Sequence, residues 1–258
     1  LHVRSRRQRQ MCIRDRYKIQ RIMSVLEDVQ IIAKAAVAAV PYVGGSAVSI
    51  WSDLQAKQIE RKIQRFSELI MSMQSDLKKI EDDINENFVA VNDCQDVFEK
   101  MSKLVINERI REKRILYKNA YLHSMTSKIV DFDALERDLR LIEQLNTLEI
   151  HLLRLFDNPK AYNKSRGSII KNPFIDEDGT IKSSYMVNYS IVAQIRMFFS
   201  KDIEDSDIIE SLNFLSQNRI LIDNVQLRQL STNGDPIEIF NNVLTDKGKR
   251  FVQTLRDL

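Results

Sequence analysis

The sequence predicts a mainly α protein: an N-terminal helical bundle that contains a long heptad helix, followed by a smaller α+β domain. Three observations support this prediction. Apolar residues recur at alternating steps of three and four from Ala56 to Ile84, which is the seam of a heptad helix. Helical periodicity continues through much of residues 88–156. Strand-like runs separated by turn residues appear only in the second half of the chain.

The first residues do not read as part of the fold. Residues 6–15 spell RRQRQMCIRD, which is the translation of a common transposase-based sequencing adapter. We interpret residues 1–16 as an assembly artefact, expect them to be disordered and exclude them from the fold. Met23 then fits as the native start, with residues 17–22 left open. Without residues 1–16 the formal net charge changes from +3 to −2, with 33 Lys and Arg against 35 Asp and Glu.

An apolar stretch follows, from Val29 to Trp51, in which Lys34 is the only charged residue. It is long enough to cross a bilayer, but Pro41 and the glycines after it split it into halves that are too short to span. Two interpretations stay open: a helical hairpin buried in the bundle, or a segment that inserts into or lies on a membrane. The membrane-contact candidates are Ile31, Ile32, Val37, Val40, Val43, Val48, Ile50 and Trp51.

The heptad helix is predicted to run from about Ser46 to Asp83, within a helical domain of residues 17–128. Its helix-packing seam consists of Ile59, Ile63, Phe66, Ile70, Met73, Leu77, Ile80 and Ile84. The pattern leaves open whether this seam closes within one chain or between chains. A second helical stretch runs to about Leu122, and its charge-dense middle, residues 107–114, is typical of a solvated helix face.

A domain boundary is predicted at residues 127–133, where Asp131 or Asp133 can cap a new helix. Asp178-Gly179 predicts a hairpin-like turn in an exposed loop at residues 160–183. The other elements predicted after the boundary are helices at 134–144, 148–156, 185–199 and 206–218, strands at 225–230 and 237–244, and a last helix from Thr245.

The string ESLNFLSQNRIL, followed by the predicted β-hairpin and then LTDKGKRF, resembles a winged-helix domain over residues 131–258. The whole arrangement is similar to a group of uncharacterised bacterial proteins with an N-terminal helical bundle and a winged-helix-like end. Many winged helices bind DNA, so the resemblance raises that function. However, residues 131–258 hold 16 Lys and Arg against 20 Asp and Glu, and phosphates would be repelled by the acidic helix in the recognition position.

No constellation of residues predicts catalysis. His123 and His151 have no His or Cys at the spacing of a zinc site. Cys94 lies in the acidic string NDCQD, which raises the pKa of a thiol and makes it a poor nucleophile. We therefore expect no enzyme, no metal and no cofactor.

These features favour a non-enzymatic, cytoplasmic protein that binds a protein partner or itself. In its sharper form the protein is a membrane-active effector, peripheral to the inner membrane face, whose apolar N-terminal helices engage lipid. The alternative is a winged-helix DNA-binding regulator that dimerises through the heptad helix. In that alternative Lys247, Lys249 and Arg250 contact the nucleic-acid backbone.

Overall fold

The prediction of a mainly α protein is confirmed. A computed structural model describes residues 42, 44–56, 60–90, 92–170, 187–199, 203–232 and 235–256. Within these residues there are eleven α-helices, two short strands and three 3-10 turns. The chain forms two compact units, which divide between Glu136 and Arg137. The interpreted adapter segment, residues 1–16, lies outside the described residues.

The first unit is helical. Its helices are α1 (Gly44–Ala56), α2 (Glu60–Leu77), α3 (Glu86–Val89), α4 (Asn92–Asn107), α5 (Arg111–Thr126) and the first turn of α6 (Phe132–Gln144), with a 3-10 turn at Glu81–Asp83. The start of α6 belongs to this unit because the ring of Phe132 lies 4.8 Å from that of Phe88 and Glu136 pairs with Lys100 at 2.7 Å. The division between the units thus falls shortly after the boundary expected at residues 127–133.

Helices α1 and α2 are two packed helices rather than one. The ring of Trp51 in α1 lies 6.4 Å from the ring of Phe66 in α2. In one continuous helix these residues would be about 22 Å apart, because each residue adds 1.5 Å along the axis. The prediction of a single helix from Ser46 to Asp83 is therefore wrong: the chain reverses direction after Ala56, and α2 ends at Leu77.

The heptad seam closes within the chain. Phe66, Ile70, Met73 and Leu77 are at most 4% exposed, because α2 packs against α1, α4 and α5. Of the other predicted seam residues, Ile63 and Ile84 are half-buried, Ile80 is buried just beyond the helix, and Ile59 lies outside the described residues. The described part of α2 therefore leaves no continuous apolar stripe for a second chain.

The second predicted helical stretch is also divided. Residues 108–110 separate α4 from α5, and the Glu108 carboxylate accepts a hydrogen bond from the backbone N–H of Ile110 at 2.8 Å. The two helices run antiparallel, since the Tyr121 hydroxyl of α5 lies 3.2 Å from the Cys94 sulfur near the start of α4. Phe88 and Phe98 each pack edge-on against Tyr121, with ring centroids 5.8 Å apart. These rings form the core of this end of the unit.

The second unit combines short helices with one small sheet. Beyond the rest of α6, its elements are α7 (Thr147–Asp157), α8 (Pro159–Ser165), β1 (Val187–Ser190), α9 (Ile191–Arg196), α10 (Asp205–Gln217), β2 (Gln229–Thr232) and α11 (Asp246–Thr254), with 3-10 turns at Val225–Leu227 and Pro236–Phe240. Phe240 lies at the centre of the core, with its ring 6.2 Å from that of Phe156 and 6.1 Å from that of Phe198.

The β structure differs from the predicted hairpin. Strand β2 pairs antiparallel with β1, so that Gln229 lies opposite Ser190 and Thr232 opposite Val187. The predicted strand at 237–244 is wrong over its first half, which is a 3-10 turn. Pro236 at the start of that turn has a fixed φ and no N–H to donate, and the Asp235 carboxylate accepts from the N–H of Ile237 at 3.1 Å.

Two neighbouring predictions change for related reasons. The helix expected at 185–199 begins only at Ile191, because residues 187–190 pair with β2. The stretch expected to begin an exposed loop at residue 160 starts with helix α8 instead. Pro159 can begin this helix because a proline at the first helical position needs no N–H partner, and Asn158 caps it by accepting from Ala161 at 3.0 Å. The turn expected at Asp178-Gly179 lies within residues 171–186, which are outside the described residues.

The LTDKG string forms a clamp on the chain that leaves α10. Leu244 pairs antiparallel with Leu221, and the Thr245 hydroxyl donates to the carbonyl of Arg219 at 2.6 Å while accepting from the N–H of Gly248 at 3.0 Å. A Cβ at Gly248 would lie 2.1 Å from the carbonyl oxygen of Ile220. Only glycine allows this close approach of the two backbones.

Gly248→Ala is expected to destabilise the second unit by about 3 kcal/mol, because the new methyl group displaces the Ile220 backbone and breaks the clamp. The measurement is scanning calorimetry of the full chain, with Lys249→Ala as a control on the exposed side of the same helix. Equal stability of the two variants would contradict the close approach.

Candidate functional site

The histidines and the cysteine that the sequence singles out lie on three different helices: Cys94 on α4, His123 on α5 and His151 on α7. Among the described residues, no group of three or more His, Cys, Asp or Glu could hold a metal ion. His151 Nδ1 lies 3.2 Å from the Arg166 guanidinium. A guanidinium can only donate a hydrogen bond, so Nδ1 is the acceptor in this contact. His123 is half-buried in α5.

Cys94 is a buried thiol with 0% exposure. Burial raises its pKa, and the hydrogen bond with Tyr121 opposes this only in part. The sequence predicted the direction of this shift but assigned it to the acidic neighbours, Asp93 and Asp96. These carboxylates are exposed to solvent, so burial is the physical cause, and the thiol is a poor nucleophile.

The first unit contains a groove of about 550 Å³ between α2 and α5, which we call the basic groove. It is lined by Arg65, Glu68, Leu69, Met71, Ser72, Val105, Arg111, Arg114, Ile115 and Lys118. Four of these residues are cationic and one is acidic. The apolar members form part of the same lining, and Met71 is 59% exposed there.

Helical periodicity places the cations of the basic groove. Arg111, Arg114 and Lys118 are spaced at i, i+3 and i+7, so they share one face of α5. Glu68 contacts Arg114, and four residues further along α2 Ser72 contacts Lys118. Because residue numbers rise together in both helices, α2 and α5 run parallel and present these faces to each other.

Polar contacts join the two helices along the groove. The Lys118 ammonium, in a residue only 7% exposed, donates to the Ser72 hydroxyl at 2.9 Å and forms a short ion pair with Asp76. Burial raises the pKa of Asp76, but hydrogen bonds from Lys118 and Lys79 outweigh burial, so the pKa lies below its usual range. A buried charge of this kind requires its partner.

The positive charge at the outer part of the basic groove is incompletely compensated. Arg65 donates to the backbone carbonyl of Ile106 at 2.9 Å, and no carboxylate among the described residues pairs with Arg65 or Arg111. Arg114 lies 3.5 Å from Glu68, which is half exposed to solvent. Exposed pairs of this kind contribute little, so the groove retains a net attraction for an anion.

The predicted membrane-contact residues fall into two groups. Ile31, Ile32, Val37, Val40 and Val43 lie outside the described residues. Val48 and Ile50 are half-buried on α1, and Trp51 is 1% exposed against Phe66, so Trp51 serves as a packed core aromatic in this structure. None of the described helices combines the length and the apolar character needed to cross a membrane.

The predicted nucleic-acid contacts are all exposed on α11 but are partly engaged. Lys247 donates to the carbonyl of Asn218 at 2.8 Å, and Lys249 lies 3.6 Å from Asp246. Arg250 is exposed. The exposed start of α10 carries acidic residues, including Asp205 and Glu210.

Sequence reasoning missed the basic groove. Residues 107–114 were interpreted as a solvated helix face, whereas Lys113 is 6% exposed and pairs with Glu108 at 3.3 Å. The spacing of Arg111, Arg114 and Lys118 was a usable signal for one basic face. The matching face of α2 could not be identified without knowing that the two helices are neighbours.

Comparison with known proteins gives no significant match. No protein-family model matches the sequence, and neither the curated proteins nor the solved structures provide a matching relative. The functional argument therefore depends on the residues of the site.

Replacing Asp76 by Asn is expected to destabilise the first unit by about 3 kcal/mol at pH 7, because it leaves Lys118 buried without its counter-charge. Since the folded-state pKa of Asp76 is lowered, its contribution is present above the unfolded pKa of about 4 and is lost as the pH falls through the folded value. The difference between wild type and Asp76→Asn should therefore shrink in acid.

The measurement is urea unfolding at pH 7 and pH 3, followed by fluorescence of Trp51, the only tryptophan. Glu99→Gln is the control, because the exposed pair of Glu99 with Lys103 is expected to contribute less than about 0.5 kcal/mol. A difference for Asp76→Asn that is small, or independent of pH, would contradict the assignment.

Cys94 is expected to react with an aromatic disulfide reagent much more slowly in the native chain than in urea, because its thiol is buried. Peptide mass spectrometry distinguishes Cys94 from the other cysteine, Cys12. Equal rates at Cys94 in the native and unfolded chains would show that the thiol is accessible.

Proposed function

We propose that this is a non-enzymatic helical interaction protein that binds an acidic, amphipathic segment of a protein partner in the basic groove of its first unit. The second unit acts as a further interaction module of winged-helix-like type. Membership of the similar group of bacterial proteins is part of this proposal. That membership is proposed from the arrangement of the sequence: an apolar start, a heptad helix and the C-terminal LTDKG string.

The observation that carries the proposal is the combination of uncompensated cations with apolar residues in one groove. Arg65 and Arg111 supply positive charge to an incoming carboxylate, and Met71 and Ile115 offer apolar contact beside them. An acidic amphipathic helix meets both requirements, because its carboxylates and apolar side chains alternate at helical spacing. Interfaces of this kind use charge for specificity and apolar anchors for affinity.

Partner binding through the groove is favoured over self-association through the heptad helix. The described seam residues of α2 already pack inside the unit, with Phe66 and Met73 at 0% exposure. Using them between chains would require the unit to open and expose its core. The groove, in contrast, is accessible without rearrangement.

The winged-helix-like part of the proposal is supported by backbone hydrogen bonds between the two segments that flank the predicted β-hairpin. Ile222 donates to Val243 at 3.0 Å and Thr245 to Ile220 at 3.0 Å, so the segment after α10 pairs antiparallel with the segment before α11. We assign this unit to protein contacts rather than DNA, because exposed carboxylates such as Asp205 and Glu210 would repel phosphates.

The test is fluorescence anisotropy with a labelled acidic amphipathic peptide of about 16 residues, long enough for four helical turns. A peptide with Lys in place of each acidic residue and a labelled duplex DNA are the competing probes. We expect the acidic peptide to bind most tightly, and Arg111→Glu to weaken it about tenfold, equivalent to 1.4 kcal/mol.

Arg61→Glu is the matched control, because Arg61 is exposed on α2 but does not line the groove. All proteins carry the same Arg-rich first residues, so any attraction of the peptide to those residues is common to every variant. Equal binding by Arg111→Glu and Arg61→Glu would contradict the groove as the site. Tighter binding of the DNA that is weakened by Lys247→Glu but not by Arg61→Glu would favour the nucleic-acid alternative.

A further inference from the structure

The second unit contains a groove of opposite chemistry, which we call the acidic groove. It has a volume of about 730 Å³, and the described residues that line it belong to α10, to the first part of α7 with the residue before it, and to the two positions Phe199 and Ile203. Three of its lining residues are carboxylic acids, and none of the described residues that line it is Lys or Arg. This volume is within the range of small-molecule sites.

The carboxylates of the acidic groove differ in their availability. Glu149 is 5% exposed and closes the N-terminus of α7, where it accepts from the N–H of Asn146 at 2.7 Å. One oxygen of Asp207 accepts from the N–H of Glu204 at 3.3 Å. Glu210 is exposed and forms no ion pair with a described residue. Glu210 is therefore the carboxylate best placed to meet a ligand cation, with the second oxygen of Asp207 as a neighbour.

A largely buried serine also lines the groove. Ser211, which carries a hydroxyl group, is 4% exposed and forms part of the groove wall. This hydroxyl is adjacent in sequence to Glu210 and can accept a hydrogen bond from a ligand ammonium group.

The remaining wall of the groove is aromatic and apolar. Phe199 and Phe214 are half-buried there, and the ring of His151 lies 6.0 Å from the ring of Phe199. Aromatic faces attract organic cations and also bury an apolar body. An inorganic cation has no apolar body to bury against these rings, and an anion would be repelled by the carboxylates.

We infer that the acidic groove binds a small organic ammonium compound with an apolar body. The ammonium group pairs with Glu210 and Asp207 and donates to the Ser211 hydroxyl, while the body packs on Phe199 and Phe214. This inference does not rest on the proposed protein partner or on the basic groove.

The test uses phenethylammonium chloride as the probe, with 3-phenylpropionate and 2-phenylethanol as anionic and neutral molecules of similar size. Binding to the full chain is followed by chemical-shift changes of the backbone amides at pH 7.5. For a probe of so few atoms we expect a Kd on the order of 1 mM. The neutral probe should bind about tenfold more weakly, and the anion should not bind detectably.

Glu210→Gln should weaken the ammonium probe about tenfold, and Ser211→Ala about threefold, since a charge-assisted contact contributes more than a neutral one. Glu238→Gln is the matched control, because Glu238 is exposed in the same unit and does not line the groove. Circular dichroism checks that each variant is folded. Equal binding of the ammonium and carboxylate probes, no effect of Glu210→Gln, or no shift at 20 mM probe, about twenty times the expected Kd, would overturn the inference.

Discussion

The buried ammonium group of Lys118 constrains how the first unit is assembled. A cation that is only 7% exposed must keep its counter-charge and hydrogen-bond acceptors, and α2 supplies both through Asp76 and Ser72. This requirement holds α2 against α5 and gives the contact between the two parallel helices a polar outer side. Lys118 is neutralised by that contact, whereas Arg65 and Arg111 are not, and the difference leaves a basic surface beside an apolar floor.

Periodicity predicted the seam residues Phe66, Ile70, Met73 and Leu77, which are buried, but not where the helix ends. The pattern continues to Ile84, and Ile80 within it is buried although α2 ends at Leu77. A three-four alternation shows only which residues face a core. It can continue through a turn when the chain after the turn packs against the same core. The contact of Trp51 with Phe66 is a tertiary contact between two helices. The reversal between α1 and α2 could therefore not be inferred from spacing alone.

In the second unit, local features could be predicted from the sequence, whereas the pairing of distant segments could not. The cap at Thr245 and the helix at Asp205–Gln217 were predictable because capping and amphipathic periodicity are local. Strand pairing was not, since β1 and β2 are separated in sequence by α9 and α10. Pro236 and Asp235 indicated a turn, but the buried Ile237 and Ile239 beside them also suit a strand, and local composition could not decide between the two.

Net charge was the least informative feature for the candidate sites. A value of −2 without the first sixteen residues suggests no preference for anions, and the acidic balance of residues 131–258 concerns only that part. The structure divides the charges into a cationic groove with apolar residues and a carboxylate groove with aromatic residues. Because electrostatic attraction acts over roughly a Debye length of 8–10 Å, a partner responds to the groove it enters rather than to the sum over the chain. The two grooves can therefore select ligands of opposite charge.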